Sequence, residues 1–93
     1  MSDHLTPLEV CLAMFGSRSA VEEIAGCRPK SSYAWARQST LRRAGDLPPR
    51  VQRAMLAGAR RRHVALPARW LIEGASRAAI EAALARPDGM AAE

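Results

Sequence analysis

The side chains best equipped for chemistry crowd into eleven positions. Arg28, Lys30, Ser31, Ser32, Tyr33, Arg37 and Gln38 supply cations, hydroxyls and an amide, with no carboxylate among them. That set suits polyanion recognition. An Arg fork pairs with a phosphate or a guanine edge through two parallel bonds, and hydroxyls and amides bond base edges. Arg42 and Arg43 follow closely. They suit phosphate contact, with a solvated basic loop as the competing reading.

No catalytic chemistry can be assembled. The chain has two His and two Cys. Neither Cys11 nor Cys27 stands in a CxxC or Cys/His spacing, so no metal site is expected. Cys11 falls on an apolar stripe and reads as a core residue, whereas Cys27 falls in a turn. Glu22 and Glu23 are adjacent acids. Adjacent helical residues point in different directions, and carboxylates near a helix start are favoured by its dipole. Nothing supplies a nucleophile, a base and an orienting group together. The chain therefore reads as a non-enzyme without a cofactor.

Those side chains need elements to hold them. Val21, Ile24 and Ala25 fall at i, i+3 and i+4 on a short helix that Ser17 or Ser19 would cap. Gly26 suits the residue that ends it, because glycine accepts positive φ. Pro29 suits the first position of the next helix, expected over 29–38. In that helix Tyr33 and Arg37 share a face and Trp35 is turned away. From that placement Trp35 suits either the core or stacking on a nucleotide.

Upstream, Thr6-Pro7-Leu8-Glu9 is a capping box with proline at the first helical position. Leu8, Cys11, Leu12 and Phe15 make one apolar stripe on the helix it opens, and Gly16 closes that helix. Residues 1–5 read as an N-terminal arm. Downstream, 38–47 reads as a loop. Pro48 and Pro49 open a helix with Val51, Ala54, Met55 and Gly58 on its stripe, closed by Arg60-Arg61-Arg62-His63. A basic run at a helix C-terminus is stabilised by the dipole, and contact with a DNA backbone competes with that bland reading. Leu66-Pro67 begins a short helix stopped at Gly74. Ser76 caps the last helix, and 86–93 reads as a frayed tail. Few residues are β-branched and no stretch alternates with period two, so the fold class is all-α.

The chain resembles small phage-type regulators of the Cro/repressor helix-turn-helix class, including the YdaS-like regulators of prophages. The resemblance rests on Phe15-Gly16-Ser17, Gly26, Trp35 nine residues later, the Pro48-Pro49 pair and Leu66-Pro67, and it covers roughly 5–72. It implies a five- to six-helix domain of lambda-repressor-like type, with the DNA-binding unit over 6–65, helix 29–38 in the major groove and Trp35 as the core anchor of that helix. The family usually has a small residue where Glu22 stands and an aliphatic one where Ser32 stands. By that comparison both residues would loosen the packing between the two helices.

The charge distribution agrees. Over 1–27, Arg18 against Asp3, Glu9, Glu22 and Glu23 leaves −3. Over 28–69, ten Arg and one Lys against Asp46 leave +10. Over 70–93, Arg77 and Arg86 against Glu73, Glu81, Asp88 and Glu93 leave −2. A basic middle between acidic ends indicates a polyanionic partner. An Arg-rich, Lys-poor, Ala-rich chain also reflects a GC-rich genome, but genome bias does not explain the clustering.

Trp70, Leu71, Ile72, Ile80 and Leu84 exceed what a small monomer needs to bury. Two uses compete: a two-fold dimer interface, preferred here, and packing over the first helix. The expected partners are a double-stranded DNA operator, a second copy of the chain and RNA polymerase. The expected location is the bacterial cytoplasm, with no membrane segment. The leading function is sequence-specific repression. The alternative is an antitoxin or anti-regulator whose basic face meets an acidic protein.

Overall fold

The computed structural model describes residues 3–39 and 43–85. Six helices and one two-stranded pairing follow in the order β1 (His4–Leu5), α1 (Pro7–Phe15), α2 (Arg18–Ala25), α3 (Ser32–Trp35), α4 (Pro49–Arg62), α5 (Trp70–Glu73), β2 (Ala75–Ser76) and α6 (Arg77–Leu84).

Local chemistry sets most of the helix starts. Thr6 accepts the Glu9 amide while the Glu9 carboxylate accepts the Thr6 amide, completing the capping box. Ser17 caps α2 by accepting the Ala20 amide, and Ser76 caps α6 by accepting the Ala79 amide. Pro49 opens α4, and His63 closes it in the left-handed region.

α1 is the central helix, and it is buried on two faces. Leu8 and Cys11 join Val21, Ile24, Ala25, Trp35, Leu47, Val51, Met55 and Leu71 in one cluster. Val10 and Met14 join Leu5, Trp70, Ala75 and Ile80 in another. The single stripe expected from Leu8, Cys11, Leu12 and Phe15 is half of this arrangement. Val10 and Met14 lie four apart on another side, which the α5–α6 segment and Leu5 together make interior.

The two clusters together correct one expectation. Trp70, Leu71 and Ile80 are buried inside the chain and are not free for a dimer interface. Of the five proposed interface residues, Ile72 at 64 % and Leu84 at 52 % remain exposed. The segment 66–85 packs against α1 through both clusters. The N-terminal arm is also tied down over its described part. His4 and Leu5 pair antiparallel with Ser76 and Ala75, and the Arg77 amide donates to the Asp3 carbonyl at 2.7 Å. So the mostly helical fold carries a small strand pairing that no local alternation announces. The tail expectation for 86–93 lies outside the described residues.

α4 crosses close to α2. A Cβ at Gly58 would run into Ile24 Cγ2, so glycine there permits the close approach. Met55 and Val51 fill the space beside it and are fully enclosed.

Cys11 is buried, and burial pushes its thiol up to about 12. A thiol reagent at neutral pH should therefore consume one equivalent quickly, at half-buried Cys27. Cys11 should react only as fast as the protein unfolds. Quick titration of both thiols in the native protein would contradict this packing.

Candidate nucleic-acid interface

α2 ends at Gly26, whose φ of 72° places it in the left-handed region. The chain then turns through Arg28, Pro29 and Lys30. Ser31 donates to the Arg28 carbonyl at 2.7 Å through its hydroxyl. Lys30 also adopts positive φ, 73°. The helix expected over 29–38 is thus reduced to the four residues of α3. Pro29 does not open it, because the left-handed step at Lys30 separates the proline from the helical residues.

That step turns the Lys30 amide toward the carboxylate of Glu22. The same carboxylate, through Oε2, accepts the Ser32 hydroxyl at 2.6 Å and the Ser32 amide at 3.1 Å. Arg18 donates to the Ser32 hydroxyl oxygen at 3.0 Å. Glu22 and Ser32 are both buried, Ser32 completely. Hydrogen bonds from Ser32, above all from its hydroxyl, hold the Glu22 carboxyl below the usual carboxylate range, with the Lys30 amide next in effect. The two residues expected to loosen the packing are therefore each other's partners. A polar clasp joins α2 to α3.

Ser32 is accordingly corrected: fully buried and bonded to Glu22, it cannot reach a base edge. Trp35 is 5 % exposed and belongs to the core. Its carbonyl accepts the Gly45 amide at 2.8 Å, and the Gly45 carbonyl accepts the Leu8 amide at 2.9 Å. The end of α3 is thereby stitched to the start of α1.

What remains outside is the basic and aromatic set. Arg28, Lys30, Tyr33, Arg37, Gln38 and Arg43 are exposed, and Ser31 is half-buried. Arg42 lies outside the described residues. The Arg18 guanidinium carbon sits 4.1 Å from the centre of the Tyr33 ring, a cation–π contact that orients the tyrosine.

No family model, no curated protein and no solved structure matches this chain.

Arg18 was absent from the residues singled out by sequence. It bonds Ser32, stacks on Tyr33 and adds its charge to the field on Glu22. A signal existed, since Arg18 and Glu22 are four apart and share a helix face. The spacing gives no hint that Ser32 completes the set. Among the described residues, the exposed side chains of 28–38 include cations and no carboxylate; of the two adjacent acids on α2, Glu22 points inward to Ser32 while Glu23 is exposed beside Pro29. Such a surface can hold phosphate oxygens and offer hydrogen bonds to base edges. Among the described residues, no three His, Cys, Asp or Glu side chains converge to hold a metal ion. No helix among them is long and apolar enough to cross a membrane.

Proposed function

We propose that this chain is a sequence-specific DNA-binding transcriptional regulator of phage or prophage type, acting as a repressor in the bacterial cytoplasm. α2, the turn at Gly26 and the segment through α3 serve as the helix-turn-helix of a lambda-repressor-like domain. The observation that supports this most is the outward set on a rigid base. Lys30, Tyr33 and Arg37 are exposed, and the same segment is pinned beneath by Ser32 on Glu22 and by buried Trp35. A reading surface needs both properties, because floppy cations grip phosphates but do not discriminate bases.

In this reading Arg28, Lys30, Ser31, Tyr33, Arg37 and Gln38 enter the major groove, and Arg43 meets backbone phosphate. Two copies read paired half-sites, with Ile72 and Leu84 as apolar surface available to their contact. Polymerase is blocked by occupancy of the operator.

Selection from random duplexes tests this. An enriched inverted repeat is expected. Lys30→Ala and Arg37→Ala should each cost about 1–3 kcal/mol of binding to the selected site if they reach base edges. Their thermal transitions should match the parent, because both side chains are exposed. Unchanged gel-shift affinity for both variants would defeat the assignment. Failure to enrich any sequence, with retained binding to an acidic protein, would favour the antitoxin or anti-regulator reading.

A further inference from the structure

α4 carries a charge pattern that its own stability does not call for. Its residues include Arg50, Arg53, Arg60, Arg61 and Arg62 and no acid. The buried stripe is Val51, Met55, Gly58 and Ala59. At 100° per residue, Arg50, Arg53, Arg60 and Arg61 fall within an arc of about 100° facing away from that stripe. All four are exposed. Among the described residues, no hydrogen bond or ion pair engages their side chains.

Arg60 and Arg61 have a local explanation, because the last turn favours cations. Arg50 and Arg53 have none. Arg50 lies in the first turn, where the dipole repels cations, and Arg53 just beyond it, and the first turn has no acidic residue to offset them. Spaced three apart, they also repel each other mildly. Cations placed against the helix's own field fit a face built for a polyanion.

We propose that the outer face of α4 is a second contact surface for duplex DNA, gripping backbone phosphates independently of the α3 segment. The proposal rests on the DNA-binding reading above. From Arg50 to Arg61 is about 16 Å along the axis. The major groove is about 12 Å wide. The pair Arg50/Arg53 therefore meets one phosphate wall while Arg60/Arg61 meets the other. Ala57 lies between the pairs on the same face, short enough to let the helix approach. Arg forks bond phosphate oxygens in pairs. This double grip at groove spacing favours a duplex over an acidic protein. It uses no base edges, so it adds affinity on any sequence.

The test is the salt dependence of full-chain binding to a mixed-sequence duplex. Each neutralised phosphate contributes about 0.9 to the slope of log K against log salt. The variant R50Q/R53Q/R60Q/R61Q should lower that slope by about 3.6. Lysine at the same four positions should keep it. R50Q/R53Q alone should lower the slope by about 1.8 and raise the thermal midpoint, because it removes cations from the wrong end of a helix. That pairing of weaker binding with higher stability excludes misfolding as the cause. If the parent selects a sequence and the quadruple variant keeps the parental slope, this surface is disproved and the regulator reading stands. If the parent binds no duplex but binds polyglutamate through the same arginines, both are overturned.

Discussion

Replacing Gly74 by Ala should cost about 3 kcal/mol or more of folding stability, the largest effect expected from adding one methyl group to this chain. Two causes act together. Gly74 has φ 80° and ψ −168°, a region essentially confined to glycine. A Cβ there would also run into the carbonyl oxygen of Leu5 and crowd the His4 ring. Backbone, unlike a flexible side-chain tip, cannot swing aside. The clash falls at the join between α5 and β2, where Leu5 pairs with Ala75 and His4 with Ser76. The His4 ring nitrogen also lies 2.7 Å from the Glu73 carbonyl oxygen. Relief would separate the strands and open the cluster of Leu5, Val10, Met14, Trp70, Ala75 and Ile80. Urea denaturation would measure this, with near-ultraviolet signals of Trp70 reporting the cluster. A loss under about 1 kcal/mol would show that the join is not structural.

The second large effect concerns Glu22 and Ser32. Ser32→Leu should strongly destabilise the protein, because it removes the hydroxyl from a buried carboxylate and leaves a charge short of a donor. Ser32→Ala removes only the hydroxyl and should cost about 1–3 kcal/mol. Glu22→Ala alone should also destabilise, by stranding the amides of Lys30 and Ser32. The double variant E22A/S32L installs an apolar pair and should recover much of the loss of either single change. Simple additivity in that cycle would contradict the clasp.

The clasp also predicts a pH dependence. Glu22 has a lowered folded pKa, with the Ser32 hydroxyl bond as the first cause. Its contribution is fully present above the unfolded value of about 4.3 and is lost as pH falls through the lower folded value. Stability should therefore decline on acidification below about pH 4.3, and Glu22→Gln should flatten that decline. A parent and a variant with the same acid limb would remove Glu22 from this role.

What could be read along the chain was what neighbours within four residues decide. The Thr6–Glu9 capping box, a serine cap at 17 or 19 that the structure places at Ser17, the Ser76 cap, the Gly26 and Gly74 stops and the Pro49 start each depend on backbone groups a turn away. Helical character was legible for the same reason, as was the exposed set around Tyr33, whereas the burial of Trp35 was expected from the resemblance and not from spacing. Only the tertiary structure decided the rest. α3 begins only at Ser32, after a left-handed step at Lys30 whose amide, like that of Ser32, meets Glu22, ten residues before Ser32. α1 is two-sided because Trp70 and Ile80 cover a face whose own spacing marks it only weakly. The pairing of His4 with Ser76 joins residues far apart in sequence, which periodicity cannot encode. Sequence carries the short-range preferences of each segment. Which apolar stripes meet, and which buried acid finds which hydroxyl, depends on contacts that exist only once the chain has closed on itself.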